Sequence, residues 1–496
     1  MPPLNWDAFT ALPGSSDQNF EILCRGLIRM NYGRFGTFRA LAAQPGVEFH
    51  LKLMENCSLG ERGRWYGWQC RWWDLPSGRA IGTTRRAHIE EAIEITTRVL
   101  PDLTDWVLWT RYPLTRGDQD WFYSIRKPME LHLWTGIEVE NLLSGEATIL
   151  RSTYFGELVF TPELLFERHQ EAVASIKPRW MPEVHHIVDA EHKLRQMLGE
   201  SVAWDKIQLL ANELRADAEA LVVASDGLPP NHTMHAEKVA EATNMAASSL
   251  ESLNASIRKG DLDLLRQDLS LRPSLPNLDV RTAPRRLRSS NHKAALFATN
   301  ALGSYNKAVR LFDQIDDAFG THLIAILAPY GCGKTQLAIQ LTMKTSARPC
   351  GVLLYGSDLH ADHTLDNLAQ RIRIAGHPVS SIEELLAAID AAGQRAHHRL
   401  PIVIDGLNEA EDPRKWKALL SGLQVILKKY PYVLFICTLR PEIKEEALPP
   451  DVPKLEIPDL GPNAIEAIHN YFQYYKIDAR DALIPFDLLK HPLTLR

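Results

Sequence analysis

His322-Leu-Ile-Ala-Ile-Leu-Ala-Pro-Tyr-Gly-Cys-Gly-Lys-Thr335 is the stretch that decides the fold of the C-terminal half. An apolar run of strand length, Leu323–Leu327, leads at once into Ala328-Pro-Tyr-Gly-Cys-Gly-Lys-Thr335, and a helical pattern over Thr335–Met343 opens behind it. Strand, glycine-rich loop and helix is the order in which GxxxxGK[ST] holds phosphates, here with Ala328 in place of the first glycine. Gly331 and Gly333 let backbone N–H groups curl around phosphate oxygens at a helix N-terminus. Lys334 is the residue that reaches the β- and γ-phosphates, and Thr335 offers a hydroxyl to Mg²⁺. The predicted ligands are ATP and Mg²⁺.

Outward from this loop, helices and strands alternate. A helix over Ala294–Phe319 precedes strands at His322–Leu327, Gly351–Tyr355, Ile402–Asp405, Val433–Cys437 and Lys454–Ile457. Helical patterns at Thr335–Met343, Thr364–Ile374, Ile382–Ala396 and Pro413–Lys429 fall between them. That alternation predicts a doubly wound parallel α/β sheet. Leu400-Pro-Ile-Val-Ile-Asp-Gly-Leu-Asn-Glu-Ala410 ends an apolar strand in Asp405, a carboxylate placed to hold Mg²⁺ through its water shell. Glu409 is placed to position an attacking water; the alternative is a helix-capping acid. The strand Tyr432-Val-Leu-Phe-Ile-Cys-Thr-Leu-Arg-Pro441 ends in Thr438 and Arg440. Strand ends of an open parallel sheet converge on the ligand crevice, so Arg440 is expected to sense the γ-phosphate, with a surface ion pair as the alternative.

These three motifs together resemble the STAND-class NTPases of the NACHT type, over residues 294–496. Gly406 after the Mg²⁺-binding Asp405, with an acid at Glu409, is similar to the NACHT form of Walker B; Asn408 stands where many members carry a second acid. His491-Pro-Leu-Thr-Leu495 resembles the motif whose proline contacts adenine, which assigns Pro492 to the nucleotide. The resemblance implies a switch between an ADP-bound closed monomer and an ATP-bound open oligomer, triggered by a ligand at a C-terminal sensor. The chain stops just after this motif, so the sensor is expected beyond it, in a longer protein.

The N-terminal part differs in kind. Nine of the 12 tryptophans fall between Trp6 and Trp134, which argues for a separate domain there. Helices are predicted at Asn19–Met30, Ala87–Val99 and Glu138–Leu143, and strands at Val47–Met54, Trp65–Trp73, Asp105–Thr110 and Leu131–Trp134, a small mixed α/β sheet. Between the two α/β parts, Ala190–Leu198, Ile207–Leu221 and Leu250–Ile257 carry apolar residues at helical spacing, with a break at Ser225–Pro230. Leu271–Lys293 is rich in Pro, Ser and Arg and reads as an exposed linker, or as an arm for DNA. The expected division is 1–162 effector domain, 163–293 helical connector and basic linker, 294–460 NTPase domain, and 461–496 the start of a further helical domain.

The N-terminal part carries its own chemistry. Gly67-Trp-Gln-Cys-Arg-Trp-Trp73 sets Gln69 and Arg71 on one face of a strand, because strand side chains alternate. Pro45-Gly-Val-Glu-Phe-His-Leu51 opens the preceding strand with Glu48, and Glu21 lies in the first helix. Carboxylate and amide oxygens suit a hard cation such as Mg²⁺, and a guanidinium stabilises charge developing on a scissile phosphate. The structural alternative is a plain Glu48–Arg71 salt bridge. The set resembles the restriction-endonuclease fold, specifically the Mrr-like nucleases, whose pattern is an acid followed by QxK. It covers residues 16–150 and assigns Glu21, Glu48, Gln69 and Arg71 to catalysis, with Glu48 and Gln69 on the metal. Glu48 stands for the usual Asp and Arg71 for the usual Lys; arginine clamps phosphate but does not shuttle protons. Arg62, Arg64, Arg71, Arg79, Arg85 and Arg86 are interleaved with tryptophans, most of them expected in the core, and suit non-specific contact with a phosphate backbone.

Composition bounds the rest. The chain is 45% hydrophobic, too apolar for wholesale disorder. No apolar run reaches the roughly 18 residues of a membrane span, and the N-terminus has no signal-peptide order, so a cytoplasmic, membrane-free protein is expected. Six cysteines without paired spacing exclude a disulfide framework and a zinc cluster, and His185–His186, His360/His363 and His397–His398 read as loop histidines. The formal charge is −6, so DNA contact requires a local basic patch. Both ends together resemble prokaryotic antiviral STAND proteins of the Avs class. That resemblance implies a double-stranded DNA endonuclease, activated when ATP drives a homo-oligomer, a tetramer, after a phage protein engages the sensor. Two alternatives stand beside it: a catalytically inactive DNA-binding or self-association module on a nucleotide-regulated scaffold, and a nucleotide-driven motor.

Overall fold

The protein is described from a computed structural model over residues 4–40, 46–73, 78–144, 147, 149–156, 159–174, 188–273, 278–289, 291–374, 377–457, 464–478 and 489. It is an α/β protein with one mixed and one all-parallel multi-stranded sheet. Along the chain the strands are β1 (Gly36–Ala40), β2 (Phe49–Leu53), β3 (Trp65–Arg71), β4 (Asp105–Thr110), β5 (Glu130–Trp134), β6 (Leu323–Leu327), β7 (Val352–Tyr355), β8 (Arg373–Ile374), β9 (His377–Pro378), β10 (Leu400–Asp405), β11 (Val433–Leu439) and β12 (Lys454–Glu456). The chain divides into two compact units. Unit 1 is residues 1–165 with 362–396, and unit 2 is residues 166–361 with 397–496. Among the described residues no helix is long and apolar enough to cross a membrane.

Unit 1 is built on the order β1-β2-β3-β4-β5. The β1/β2 and β2/β3 pairs are antiparallel, and β3/β4 and β4/β5 are parallel. Alternation along β3 and β4 sends residues to two cores. Trp68, Cys70, Val107 and Trp109 join Phe20, Leu23 and Leu27 of the helix Ser16–Tyr32. Trp106 and Leu108 join Ile89 and Ile93 of the helix Thr83–Val99 and Phe122 of the helix Arg116–Ser124. A half-exposed sheet would alternate apolar with polar; here both faces are covered, so tryptophans occupy both. Trp68, Trp106 and Trp109 are fully buried, as core residues rather than stacking platforms.

The second segment of unit 1 is set in the chain between β7 and β10. Eleven of the fifteen residues of the helix Ile382–Ala396 are buried, too many for a one-sided surface helix. Ala391 belongs to the same apolar cluster as Phe20 and Trp68. Asp366 accepts from the Ile382 N–H at 2.7 Å and so fixes the start of that helix. The helix expected over Thr364–Ile374 is shorter, Leu365–Ala369, and Arg373 pairs instead with Pro378 across the β8/β9 hairpin. The β-branched Ile372 and Ile374 around Arg373 favour that extended pairing over a helix.

In unit 2 the sheet order is β12-β6-β11-β10-β7, all parallel. β6, β10 and β11 are buried along their whole length, as parallel strands covered on both faces must be. Ile324, Ile326, Val403 and Ile436 pack against Leu337 and Leu341 of the helix Lys334–Thr342 and Leu194 of the helix Asp189–Met197. A helical layer of Lys206–Ala224, Pro230–Lys259 and His292–Gly320 shares a second core through Leu214, Leu250, Leu253 and Phe312. The stretch expected as an exposed linker, Leu271–Lys293, contains the helix Leu278–Leu287. Val280, Ala283 and Leu287 lie on one face of it, buried with Leu221, Val239 and Ala298. Pro284 and the arginines hid this apolar spacing in the sequence; Arg281, Arg285 and Arg286 point outward from it.

Truncating Ile389, fully buried in the helix Ile382–Ala396, is expected to destabilise unit 1 by about 2–5 kcal/mol. Hydrogen exchange of Ile389→Ala should quicken in that helix and in the helix Ile149–Phe155, while β6, β10 and β11 keep their protection. Equal loss in both units, or none, would contradict the two-segment construction of unit 1.

Candidate functional site

Two constellations of polar side chains stand out, one in each unit. In unit 2 the loop after β6 turns at Gly331 and Gly333, both at φ of +80°, a conformation open to glycine and strained for other residues. Gly333 then caps the helix Lys334–Thr342. Lys334 Nζ donates to the carbonyls of Ala328 at 2.7 Å and Pro329 at 2.8 Å. Burial holds this ammonium below its ordinary value, opposed by the charge of Asp405.

Asp405 is the centre of this site. It ends β10, and its two carboxylate oxygens accept from Thr335 Oγ1 and Thr438 Oγ1, each at 2.6 Å. Thr438 Oγ1 accepts in turn from the Gly406 N–H at 2.9 Å. The sheet order explains the meeting. β11 lies between β6 and β10, so Thr438 stands between the glycine-turned loop and the acid. Burial raises the Asp405 carboxyl, and the two hydroxyls pull it back. A carboxylate and a hydroxyl held together in a buried place are the donor set that Mg²⁺ takes.

Arg440, just past β11, lies with its guanidinium 5.2 Å from the centroid of the exposed Tyr330 ring in the loop. Its charge and that of Glu409 both act on Lys334. Glu409 follows in the short turn Leu407–Glu409 and is exposed. Gly331, Gly333, Lys334, Thr335, Asp405, Glu409 and Arg440 are therefore brought to one end of the sheet. Pro492 lies outside the described residues.

In unit 1 the β2/β3 register pairs Phe49 with Trp68, and the Glu48 N–H donates to the Trp68 carbonyl at 2.9 Å. Trp68 thus faces two successive residues, Phe49 by register and Glu48 by this bond, so Glu48 is a bulged residue at the start of β2. Glu48 Oε2 accepts from the Cys70 N–H at 2.8 Å, and Oε1 accepts from Arg71 Nη1 at 2.7 Å. The Glu48 side chain is 17% exposed and Arg71 39%. Gln69 is buried, and its Oε1 has no hydrogen-bond partner. Glu21, half-buried on the helix Ser16–Tyr32, is close enough for its charge to act on Glu48. Burial, with Glu21, pushes the Glu48 carboxyl up to about 7, although Arg71 opposes this.

Glu21, Glu48 and Arg71 are thus brought together, whereas Gln69 alternates to the other face of β3 from Trp68 and Cys70. Glu48 is a carboxylate that a divalent ion would relieve, and each of its oxygens keeps a second lone pair for one. Cys24 and Cys70 are buried in the same apolar cluster. Burial pushes both thiols up, so they are packing groups rather than nucleophiles.

Sequence reasoning missed one cluster. Asp105, Glu130 and His132 gather at the opposite end of the parallel strands from Arg71. The alternation Glu130-Leu-His132 ahead of an expected strand was the available signal. Asp105 is fully buried and accepts from Arg64 Nε at 2.9 Å and Thr104 Oγ1 at 2.6 Å, with His132 Nε2 at 2.8 Å. Burial would raise the Asp105 carboxyl, but these partners together hold it below its ordinary value. Arg64 also pairs with Glu130. The guanidinium supplies the positive charge a metal would bring, so this is an ion network that ties β3, β4 and β5 together.

No protein-family model matches this chain, and no curated protein matches it.

Glu48 gives a signed pH dependence. Its folded-state value is raised above the ordinary 4.5 to about 7. The stability it contributes is therefore complete below the unfolded value and is lost as pH rises through about 7. Unit 1 should melt lower at about pH 8 than at about pH 5, and Glu48→Gln should remove that part of the difference. Mg²⁺ at the higher pH should raise the melting temperature of the native chain and not of the variant. Parallel profiles for the two proteins would disprove the assignment.

Proposed function

We propose that unit 2 is an ATP-binding STAND-type NTPase switch and unit 1 an Mg²⁺-dependent endonuclease acting on double-stranded DNA. The observation that carries the first part is the Thr335–Asp405–Thr438 arrangement behind a glycine-turned loop. The nuclease part is carried by Glu48, buried beside Glu21 and paired with Arg71, with the unpartnered Gln69 Oε1 two residues before Arg71 on β3.

In unit 2 the loop N–H groups at Gly331 and Gly333 cradle the phosphates, and Lys334 exchanges its loop carbonyls for phosphate oxygens. Thr335 and Asp405 would hold Mg²⁺. Arg440 meets the γ-phosphate, and Glu409 orients water towards it. In unit 1 Glu48 and Gln69 would hold Mg²⁺. When bound, the cation polarises the scissile phosphate and favours ionisation of water. Arg71 stabilises the charge that develops on the phosphate oxygens, an interaction that grows toward the transition state. Glu21 is the adjacent carboxylate that takes the proton of the attacking water. The water oxygen bonds to phosphorus as the bond from phosphorus to the leaving oxygen breaks, and that oxygen takes up a proton from solvent.

Resemblance to antiviral STAND proteins extends this reading. ATP-driven homo-oligomerisation, as a tetramer, would bring nuclease units together on both strands, in a cytoplasmic prokaryotic defence against phage. A phage protein would trigger it through a sensor outside this sequence. The Glu48–Arg71 ion pair favours one second reading, in which unit 1 binds DNA or itself without cutting.

A plasmid-nicking and linear-DNA assay with Mg²⁺, with and without ATP, separates these. Cleavage should disappear in Glu48→Ala, and its ATP dependence should disappear in Lys334→Ala. A Glu48→Ala chain that still cuts would overturn the nuclease assignment. A native chain that binds duplex and never cuts it would establish the second reading.

A further inference from the structure

Arg111 plays no part in the chemistry above, yet it stands at the same end of the unit 1 sheet. The parallel register sets Arg71 of β3 beside Thr110 of β4, and Arg111 follows directly. Its guanidinium lies among three rings, 5.2 Å from Trp6, 4.7 Å from Trp72 and 4.5 Å from Tyr112, measured to the centroids. Two of these rings are themselves fixed. Trp6 and Trp72 are 5.6 Å apart and pack with Phe9 and Phe20. The Arg111 carbonyl accepts from the Gly136 N–H at 3.0 Å, which holds the backbone.

The side chain, by contrast, is uncompensated. Among the described residues the Arg111 guanidinium has neither a carboxylate partner nor a hydrogen bond, and its Nε is buried. Three other arginines of this unit are paired with acids: Arg64 with Asp105, Arg71 with Glu48 and Arg86 with Asp118. A guanidinium does not shed its proton, so a half-buried one without an anion is held at a cost. Aromatic faces offset part of that cost and also fix the fork in one orientation. Beside it a small cavity is lined by Trp73, Arg79, Ile81, Thr110, Arg111 and Tyr112. Arg79 is an exposed cation on its rim, and Arg85 lies 5.8 Å from the Trp73 ring.

We propose that Arg111 and Arg79 form a phosphate-binding subsite for the DNA backbone, holding the strand next to the phosphate that faces Glu48, Gln69 and Arg71. This rests on the DNA-acting reading of unit 1. Several guanidinium groups along one sheet end suit a repeated anion rather than a single one. Phosphate contacts position a duplex without reading its bases. Arg111 is thus a positioning residue, and it keeps the strand in place when Arg71 has still to leave Glu48.

Fluorescence anisotropy of the full chain with labelled duplexes tests this, with Ca²⁺ replacing Mg²⁺ so that the DNA stays uncut. Arg111→Met keeps an apolar stem among the rings and removes the charge; Arg111→Lys keeps a charge. The slope of log affinity against log salt should become shallower by about 0.9 in Arg111→Met, the value for one lost phosphate contact. It should do so equally for unrelated sequences and for Arg79→Ala, and Arg111→Lys should retain the native slope. A native slope in Arg111→Met with a lowered melting temperature would overturn the proposal and leave Arg111 a packing residue. Absence of duplex binding by the native chain would overturn this proposal and the nuclease reading together. An Arg111-dependent slope in a chain whose cleavage survives Glu48→Ala would sustain this subsite while removing the nuclease assignment.

Discussion

Asp405 holds one end of the unit 2 sheet together. It is a buried carboxylate whose two oxygens are taken by hydroxyls from two different places in the chain, Thr335 behind the glycine loop and Thr438 at the end of β11. An isolated carboxylate in such surroundings would protonate or pull water in. With both hydroxyls in place it stays satisfied, and the ends of three structural elements are drawn to one point. The parallel order with β11 between β6 and β10 is what makes this possible, since it sets the threonine strand between loop and acid. The charges of Asp405, Arg440 and Glu409 all act on Lys334 there, so two cations and two acids are gathered at this end of the sheet.

Unit 1 handles charge in a different way at its two sheet ends. At one end Asp105 is deep, and its partners are complete: Arg64, Thr104 and His132 hold its carboxyl down. At the other end Glu48 has Arg71 and one backbone N–H, but Glu21 repels it and its carboxyl is pushed up. The first cluster is settled and structural. The second is short of positive charge. Perturbed acids with unfilled neighbours are where chemistry is found, whereas satisfied networks hold strands in register. This difference, rather than the number of acids, separates the two clusters, and it identifies Arg64 as a structural cation although it sits in the same basic run as Arg71.

Much of this was legible in the sequence because local signals agreed with the fold. The run Leu323–Thr335 fixed strand, turn and helix within one turn of chain, and Asp105–Thr110 reads as a buried strand from its apolar residues alone. Gln69 and Arg71 on one face followed from strand alternation. What escaped was set by distant contacts. The helix Leu278–Leu287 looked like a linker because Pro284 and three arginines outweighed the apolar triplet Val280, Ala283 and Leu287, whose partners lie on other helices. Tertiary burial overrode weak local propensity there. The pairing of Arg64 with Asp105 spans 41 residues and leaves no local trace. Nor does the sequence reveal that Ile382–Ala396, regular as its helical spacing is, buries its apolar face in unit 1.

That helix is followed directly by a strand of the unit 2 sheet. It is folded into unit 1, and residues 397–399 lead from it to Leu400, the start of the strand that ends in Asp405. These residues are held tightly within unit 2. A Cβ on Gly260, which caps a helix at φ +64°, would overlap the His397 carbonyl, so only glycine fits there. His397 itself is left-handed at φ +55°, a conformation a non-glycine residue keeps only where its surroundings enforce it. Arg399 is fully buried and donates to the carbonyls of Met197, Ala318, Thr321 and Val433 at 2.7–3.2 Å. Four backbone acceptors on one guanidinium leave little freedom for the residue that carries it. The strand bearing Asp405 therefore begins at a fixed point in unit 2, immediately after a helix that unit 1 cannot release without opening its own core.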